Sequence, residues 1–260
     1  MNHPKISACI VVWNGEKQIR ACLESIKKVV DEIIVVHDGP CSDKTLAICK
    51  EYTKNIFVLP YIGEAEPHRQ FTFDTATSEW ILWIDQDEQL SLELQKNIRA
   101  LSANETVAGY TFRWQVKYGT QNLTHGFFSR VQKLVLFRKK SLSNFQGLPN
   151  EAVKVRGKIV DTPYVLLHDQ NGERDTLRVF FTKTLRIVQI HAEQLVAKGL
   201  ATKPAIFYLF KAPIWFVLYL GYYYVIKGAF RTKADVSISL QLALYNFYLY
   251  WYVFLRKIKQ

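Results

Sequence analysis

Three acidic residues follow a short apolar run about a third of the way along the chain, and their spacing suggests chemistry. Asp85 and Asp87 are separated only by Gln86, and the preceding run, Trp80–Ile84, is typical of a buried strand. In α/β sheets ligands bind beyond the carboxyl ends of the strands, where two carboxylates can hold a hard cation such as Mg²⁺. The spacing therefore indicates a site for a metal-held phosphate compound. The alternative is a solvated acidic turn that includes Glu88.

The elements that would position these carboxylates alternate between strand and helix patterns. Strands are predicted at Ile6–Val12, Ile33–Val36, Ile56–Leu59 and Trp80–Ile84, and helices over Glu16–Val30, over Asp43–Tyr52 and from about Pro67. Such β/α units with short connections predict a parallel, doubly wound sheet over about residues 1–100.

The pattern changes after residue 100. Val107–Val116 alternates with period 2, Val131–Phe137 is strand-like, and short β-rich pieces lie within Glu151–Val165. From Asp175 onward helical periodicity dominates. We therefore expect a catalytic domain over residues 1–172, with a parallel-sheet half (1–100) and a mixed-sheet half (101–172), followed by a helical tail over residues 173–260.

Three segments of the first half follow one another in an order that a known family shares. They are Val12-Trp13-Asn14-Gly15-Glu16, the segment Glu32–Thr45 with His37-Asp38-Gly39-Pro40-Cys41-Ser42-Asp43, and Asp85-Gln86-Asp87-Glu88. In this order they resemble the nucleotide-sugar motifs of family 2 glycosyltransferases, and most of all those of small bacterial enzymes that glucosylate the inner core of lipopolysaccharide. The second motif is one residue longer than the usual Asp-x-Gly-Ser-x-Asp, and Trp13 replaces a smaller residue.

The resemblance implies an α/β GT-A fold, a mixed acceptor-side sheet, a membrane-associated helical tail and a set of ligand-binding residues. A nucleotide sugar, expected to be a UDP-sugar, would be bound by Val12, Trp13, Asn14, Glu16, Asp38, Asp43, Arg69, Asp85 and Gln86. Mg²⁺ or Mn²⁺ would be held by Asp85, Asp87 and His168, with Asp87 as the direct ligand and Asp85 shared between sugar and metal. The cation would stabilise the departing diphosphate.

Several of these roles have structural alternatives. Either Asp38 or Asp43 could meet the nucleobase, because Asp43 is also placed to cap a helix. Arg69 could pair with phosphate or be a solvated surface residue. His168 follows an apolar strand and could be a metal ligand or a core residue with satisfied hydrogen bonds.

The resemblance also implies a general base that takes the proton of the acceptor hydroxyl. Glu151 matches the family's Glu, although Asn150 stands where the relatives have a His. Asp169 is the rival, and the alternative role for Glu151 is an ion pair with Lys154 or Arg156. The resemblance thus implies an inverting displacement on a lipid-linked glycan, expected to be lipopolysaccharide inner core. Transfer to polyprenyl phosphate or another glycolipid, and a non-catalytic nucleotide- or glycan-binding membrane module, are the alternatives.

Charge and aromatic content point to a membrane surface rather than to nucleic acid. Residues 1–100 carry a net charge of −4, and residues 101–260 carry +15. Two charge-free stretches rich in aromatic residues, Ala212–Ile226 and Val236–Leu255, are bracketed by Lys and Arg, as is typical of the membrane interface. We expect peripheral or monotopic attachment at the cytoplasmic face of the inner membrane, without a signal peptide and with reduced cysteines. Transmembrane spans and a soluble packed tail are the alternatives.

Overall fold

The computed structural model describes residues 3–118, 121–143, 145–149, 151–169 and 180–259. The chain forms two compact units: residues 1–115 with 132–169, and residues 116–131 with 170–260. The boundary expected near residue 172 lies outside the described residues. Residues 116–118 and 121–131, expected in the mixed-sheet half, lie in the second unit.

Strands and helices alternate through the first part of the chain. The strands are β1 Ile6–Val12, β2 Glu32–Asp38, β3 Ile56–Leu59, β4 Trp80–Trp83, β5 Glu88–Leu90, β6 Gly109–Tyr118, β7 Gln121–Asn122, β8 Gln132–Arg138 and β9 Ile159–Asp169. The helices of the first unit are α1 Ile19–Ile26, α2 Thr45–Cys49, α3 Glu66–Thr75 and α4 Leu92–Ser102. In the described residues the main sheet has the order β3-β2-β1-β4-β8-β6-β9-β5.

The predicted parallel sheet is confirmed. β1 pairs in parallel with both β2 and β4, and β2 pairs in parallel with β3. All seven residues of β1 are buried, which is why its sequence is almost continuously apolar rather than alternating. The stripe Ile19, Leu23 and Ile26 buries α1 against this sheet. Strands β1 and β4 both end at the edge where the acidic pair lies.

The second half of the sheet is antiparallel, as the change of pattern predicts. β8 pairs with β4 and with β6, and the register between β6 and β8 shifts at Tyr110/Thr111. β5 pairs antiparallel with β9, which sets Glu88 opposite His168. The pattern did not predict β5 or α4. Ser91 begins α4, and its hydroxyl accepts from the backbone N–H of Leu94 at 3.2 Å.

The second unit is mainly helical. A short hairpin pairs the end of β6 with β7, and three long helices follow: α5 Leu185–Ala197, α6 Ala205–Gly221 and α7 Lys233–Lys257. A π-helical turn, Tyr222–Ile226, extends α6. α7 packs against both α5 and α6. In the described part of the chain, the helix from Ala205 to Ile226 is long and apolar enough to cross a bilayer, by length and composition alone.

Candidate functional site

Asp85 receives two cationic side chains just beyond the end of β4. Arg69, on α3, donates from Nη2 to Asp85 Oδ1 at 2.6 Å, and Lys133, on β8, donates from Nζ to Asp85 Oδ2 at 2.7 Å. Burial acts to raise the pKa of Asp85, but these two charges outweigh it and hold the pKa well below the ordinary value. Asp85 is therefore an anion, and each of its oxygens accepts from a cation.

Lys133 links Asp85 to a second carboxylate deeper in the sheet. Its Nζ is 2.6 Å from Glu88 Oε1, while Glu88 Oε2 accepts from the backbone N–H of Asp85 at 3.0 Å. The Asp85 side chain retains 25% exposure and that of Glu88 has none. Burial raises the pKa of Glu88 despite Lys133, and for Lys133 the two carboxylates outweigh burial and raise the pKa. Glu88 is thus a fully buried partner of Lys133 and of the Asp85 backbone, and Asp85 is the carboxylate that a ligand can reach.

Two tryptophans form the walls around these cations. The guanidinium of Arg69 lies 4.5 Å from the ring centroid of Trp83. Lys133 Nζ lies 4.8 Å from the centroid of Trp83 and 5.1 Å from that of Trp114. Such contacts hold a cation where water is largely excluded. Nε and Nη1 of Arg69 are buried and have no hydrogen-bond partner among the described residues, so two donors stay available to an anionic ligand.

Asp87 and His168 form a separate pair beside this cluster. His168 Nε2 is 3.2 Å from Asp87 Oδ2, and the imidazole stacks on Trp114 with a centroid distance of 4.7 Å and an interplanar angle of 8°. Burial acts to lower the pKa of His168, but Asp87 outweighs burial and raises it. The amide of Asp169 donates to the carbonyl of Asp87 at 3.0 Å, which fixes β9 against the acidic turn.

The first of the three family segments, Val12–Glu16, contacts the third, Asp85–Glu88, at Gln86. The backbone N–H of Trp13, the residue after β1, donates to Gln86 Oε1 at 3.0 Å. A Cβ at Gly15 would lie 2.6 Å from the same oxygen, so a larger residue at this position would displace the Gln86 side chain. Trp13 itself is exposed, and its ring centroid lies 6.1 Å from that of Tyr61. Val12 is buried at the end of β1 and pairs with His37 of β2.

The first motif also meets the second. The N–H of Glu16 donates to Asp43 Oδ2 at 3.1 Å, and the carboxylate of Glu16 accepts from the N–H of Lys44 at 3.0 Å. Asn14 accepts from the N–H of Ser42 at 3.0 Å. Asp43 Oδ1 accepts from the N–H of Thr45, the first residue of α2, at 2.9 Å. Asp43 therefore joins the two loops at the start of a helix.

Asp38 is buried and orders the loop after β3. Its carboxylate accepts from the N–H groups of Ile62 at 2.7 Å and Gly63 at 2.8 Å. His68 Nε2, one residue before Arg69, is 2.9 Å from Asp38 Oδ1. The two carboxylates that sequence reasoning left as alternatives for the nucleobase thus both have partners within the protein, and Asp38 is the more enclosed.

Glu151 lies in a loop that holds its own carboxylate. Glu151 Oε2 accepts from the N–H of Gln146 at 2.9 Å and from the N–H of Leu148 at 3.0 Å. In the part of the chain that the structure describes, no hydrogen bond or ion pair joins it to Asp85 or Asp87, nor to Lys154 or Arg156. Asn150, which stands where the resembling enzymes have His, lies outside the described residues.

The segment that carries this site matches a known family along its length. The sequence model described as Glycosyl transferase family 2 matches residues 7–157, more than half of the chain. The chain belongs to glycosyl transferase family 2. The sheet order described above, with its parallel first half and antiparallel second half, is the α/β GT-A architecture expected of such a glycosyltransferase.

Two similar proteins come from Rickettsia. An uncharacterised glycosyltransferase of Rickettsia felis is 36% identical over 113 residues, 44% of this chain and 39% of the relative. Another from Rickettsia typhi is 29% identical over 149 residues, 56% of this chain and 50% of the relative. The chain thus spans half or less of the length of these relatives.

Solved structures resemble the chain at low sequence identity. Residues 1–349 of S. aureus TarS in complex with UDP align with a TM-score of 0.49 and 15% identity, covering 98% of this chain and 91% of that one. Glucosyl-3-phosphoglycerate synthase from Mycobacterium tuberculosis, with Mn²⁺, UDP and phosphoglyceric acid, aligns with a TM-score of 0.37 and 18% identity, covering 43% of each chain.

A divalent cation of the kind the resemblance implies fits Asp87 and His168 best. Asp87 Oδ2 and His168 Nε2 lie 3.2 Å apart, so a cation held by both would replace the proton between them. Both oxygens of Asp85 are engaged by Arg69 and Lys133. No group of three or more His, Cys, Asp or Glu side chains with metal-binding geometry occurs within the described ranges. Two protein ligands suffice for a cation that takes its other ligands from phosphate and water.

The sequence analysis did not predict Lys133 as part of the site, and it offered a solvated turn as one possible location for Glu88, the buried carboxylate that Lys133 pairs with. Lys133 lies in the strand-like run that became β8, and Glu88 follows the acidic pair directly. A lysine inside an otherwise apolar strand pattern is the signal that could have found the site, because a buried ammonium requires a carboxylate partner.

Proposed function

We propose that the chain is an inverting, divalent-metal-dependent glycosyltransferase that moves a sugar from a UDP-sugar to a lipid-linked glycan. The observation that carries this proposal is the pair of cations, Arg69 and Lys133, converging on Asp85 at the end of β4 in a family 2 domain. The proposed acceptor is the inner core of lipopolysaccharide, and the proposed place is the cytoplasmic face of the inner membrane. These finer assignments rest on the resemblance of the sequence motifs.

Donor binding would use the two loops that the motifs join. The exposed ring of Trp13 near Tyr61 offers a stacking surface for the base, and the joined loops of Asn14, Glu16 and Asp43 offer polar groups at its rim. The free Nε and Nη1 donors of Arg69 suit diphosphate oxygens. Asp85, kept anionic by its cations, is suited to accept from sugar hydroxyls.

Asp87 and His168 would hold Mg²⁺ or Mn²⁺, with phosphate and water completing its coordination. When bound, the cation supplies Lewis-acid stabilisation of the charge on the departing diphosphate. The protein's own contribution is to hold two cations in place beside the bound diphosphate, Arg69 against Trp83 and Lys133 between Trp83 and Trp114. Glu151 is the proposed base for the acceptor hydroxyl, and Asp169 is its rival.

The proposed donor role is tested by a thermal-shift screen of nucleoside diphosphates and nucleotide sugars, with and without Mn²⁺. Ligand binding stabilises the folded state by RT ln(1 + [L]/Kd), so a true ligand raises Tm in proportion to the logarithm of its concentration. We expect UDP and one UDP-sugar to raise Tm in wild type, more strongly with Mn²⁺. Asp87→Ala should remove the Mn²⁺ increment while leaving the unliganded Tm within a few degrees of wild type.

The matched control is Asp74→Ala. Asp74 is an exposed carboxylate on α3, and among the described residues its side chain accepts a hydrogen bond only from Gln70. The Mn²⁺ increment should persist in this variant. An equal Mn²⁺ increment in wild type and Asp87→Ala would contradict the metal assignment. A screen in which no nucleotide raises Tm would contradict the donor proposal itself.

A further inference from the structure

The three long helices of the second unit present outer faces of opposite character. The outward face of α5 is polar and exposes Arg186, Gln189 and Glu193. The outward face of α6 is apolar and exposes Ile206, Phe210, Ile214, Val217 and Leu218, spaced by 4, 4, 3 and 1 residues. Phe210 is 61% exposed and Val217 is 66% exposed. The row continues into the π-helical turn, where Ile226 is 72% exposed. We call these residues of α6 and its turn the apolar stripe.

Helix α7 lies between the other two and has no exposed face of its own. No residue from 234 to 255 is exposed. Leu249 and Val253 of α7 pack with Val188 and Ala192 of α5, and Phe247 lies 6.2 Å, centroid to centroid, from Phe216 of α6. The order of the layer is therefore α5, α7, α6. Its two outer surfaces are the polar face of α5 and the apolar stripe of α6.

This layering conflicts with a pair of helices that crosses a bilayer. If α6 and α7 spanned together, α5 would be carried into the hydrocarbon with Arg186, Gln189 and Glu193 exposed on its outer face, which is strongly unfavourable. Lying flat on a membrane has no such penalty, because the stripe faces lipid while α5 faces water. Lys211 agrees with this orientation. Its Nζ turns away from the stripe and lies 4.1 Å from the ring centroid of Tyr250 on α7.

Charge identifies the kind of lipid surface. Residues 180–259 contain 11 Lys and Arg but only two acidic residues, Glu193 and Asp235. Glu193 forms an ion pair with Arg256, and Asp235 is buried at the start of α7, where its N–H bonds the Thr232 hydroxyl at 3.0 Å. These two acidic residues therefore offset only a small part of the positive charge carried by residues 180–259. Basic residues beside an apolar, aromatic face are attracted to anionic headgroups.

We propose that the apolar stripe is the membrane-docking surface, lying in the plane of an anionic bilayer with α5 on the water side. This inference rests on the membrane attachment proposed above and makes it specific to one face and one orientation. A second copy of this chain is the rival occupant of the stripe, and a transmembrane hairpin is the rival arrangement. Each predicts a different experimental outcome.

Vesicle flotation of the full chain tests the surface. The vesicles are phosphatidylcholine, with and without about one-third phosphatidylglycerol. The test variant is Phe210→Asp with Val217→Asp. The matched control is Gln189→Asp with Ala197→Asp, which adds the same charge to the exposed face of α5. We expect wild type and control to float with anionic vesicles, and the test variant to bind at least about tenfold more weakly. Equal flotation of test and control variants would overturn the proposal.

Depth measurement separates lying on the membrane from spanning it, and it does not depend on a variant that might unfold. Single cysteines at Phe207, Val217 and Ile226 are labelled with an environment-sensitive dye in a Cys41→Ser background, because Cys9, Cys22 and Cys49 are buried. In the proposed orientation the three labels lie at similar shallow depth. In a spanning helix the label at 217 would lie about 14 Å deeper than those at the ends, at 1.5 Å of rise per residue. That result would overturn the proposal.

Sedimentation without lipid tests the second-copy alternative. If the wild type dimerises, the Val217→Asp variant is monomeric and neither floats with vesicles, the apolar stripe is a subunit interface. That result would refute membrane docking. Donor hydrolysis in solution is measured on every variant. Hydrolysis that persists without membrane binding would refute only the docking surface, whereas docking without any donor binding would refute only the proposed activity.

Discussion

Lys133→Met removes the cation that lies between two carboxylates and keeps most of the side-chain volume. Glu88 has no exposure, and Lys133 Nζ is its 2.6 Å ion-pair partner. Breaking a buried pair by removing one member costs about 3–5 kcal/mol, because the remaining group must either stay charged without its partner or take up a proton. Asp85 keeps Arg69 as a partner. The loss should therefore come mainly from Glu88, and we expect a free energy of unfolding lower by about 3–5 kcal/mol at pH 7.5.

The loss of stability in Lys133→Met should depend on pH, and proton binding by Glu88 sets the direction of that dependence. Without Lys133 the buried Glu88 is protonated in the folded state and ionised in the unfolded state, so its folded pKa lies far above its unfolded value. The folded state then binds one more proton, and stability falls by up to about 1.4 kcal/mol for each pH unit above the unfolded pKa of Glu. The destabilisation should thus be small near pH 5 and large near pH 7.5. Lys133→Met with Glu88→Gln should lose the pH dependence.

Urea denaturation followed by tryptophan fluorescence measures this effect, since Trp83 and Trp114 flank Lys133. The matched control is Lys27→Met, because Lys27 also contacts a carboxylate and an aromatic ring, but at the exposed surface. Its effect should stay within about 1 kcal/mol at every pH. A loss for Lys133→Met that is no larger than that of Lys27→Met, or that does not change between pH 5 and 7.5, would refute the assignment of Lys133 as the counter-ion of Glu88.

Further predictions concern the base, the loop after β3 and the histidine. Glu151→Gln should leave UDP affinity near wild type and lower transfer by about 100-fold or more in steady-state kinetics, and an unchanged rate would move the base to Asp169. Asp38→Asn should lower the free energy of unfolding by about 1–3 kcal/mol in urea, since this buried carboxylate accepts two N–H groups of the loop after β3, whereas Asp74→Asn should not. The raised pKa of His168 means that protonated His168 stabilises the fold below its ordinary pKa and that this stabilisation is lost as the pH rises through the raised value. The difference in unfolding free energy between wild type and His168→Gln should therefore shrink with rising pH, and a constant difference would contradict the pairing with Asp87.

Periodicity was sufficient to predict the parallel half of the sheet. β1, β2, β3 and β4 appear within one or two residues of their predicted bounds, because strands buried on both faces have nearly continuous apolar runs. Helix ends were less predictable. The predicted helix Glu16–Val30 is observed as Ile19–Ile26, since the carboxylate of Glu16 bonds the N–H of Lys44 in the next motif rather than a helix terminus.

The sequence predicted the carboxylates Asp85 and Asp87 of the acidic site but not the buried partners of Asp85. Lys133 was not predicted, because the register of β6 and β8 shifts at Tyr110/Thr111 and a bulge of this kind changes which face a side chain lies on. Simple alternation cannot foresee such a shift. The burial of Glu88 could not be predicted because it depends on β9, which pairs with β5 from a distant part of the sequence.

The central claim is that the cluster around Asp85 and Asp87 turns over a nucleotide sugar. The most direct measurement is the release of nucleoside diphosphate from a panel of nucleotide sugars, with Mn²⁺ or Mg²⁺ and with permeabilised bacterial membranes as acceptor. We predict release from a UDP-sugar that requires the divalent cation and falls by about 100-fold or more in Asp87→Ala, while Asp74→Ala retains the wild-type rate. Release that is equal in wild type and Asp87→Ala, or no release from any nucleotide sugar under these conditions, would contradict the account.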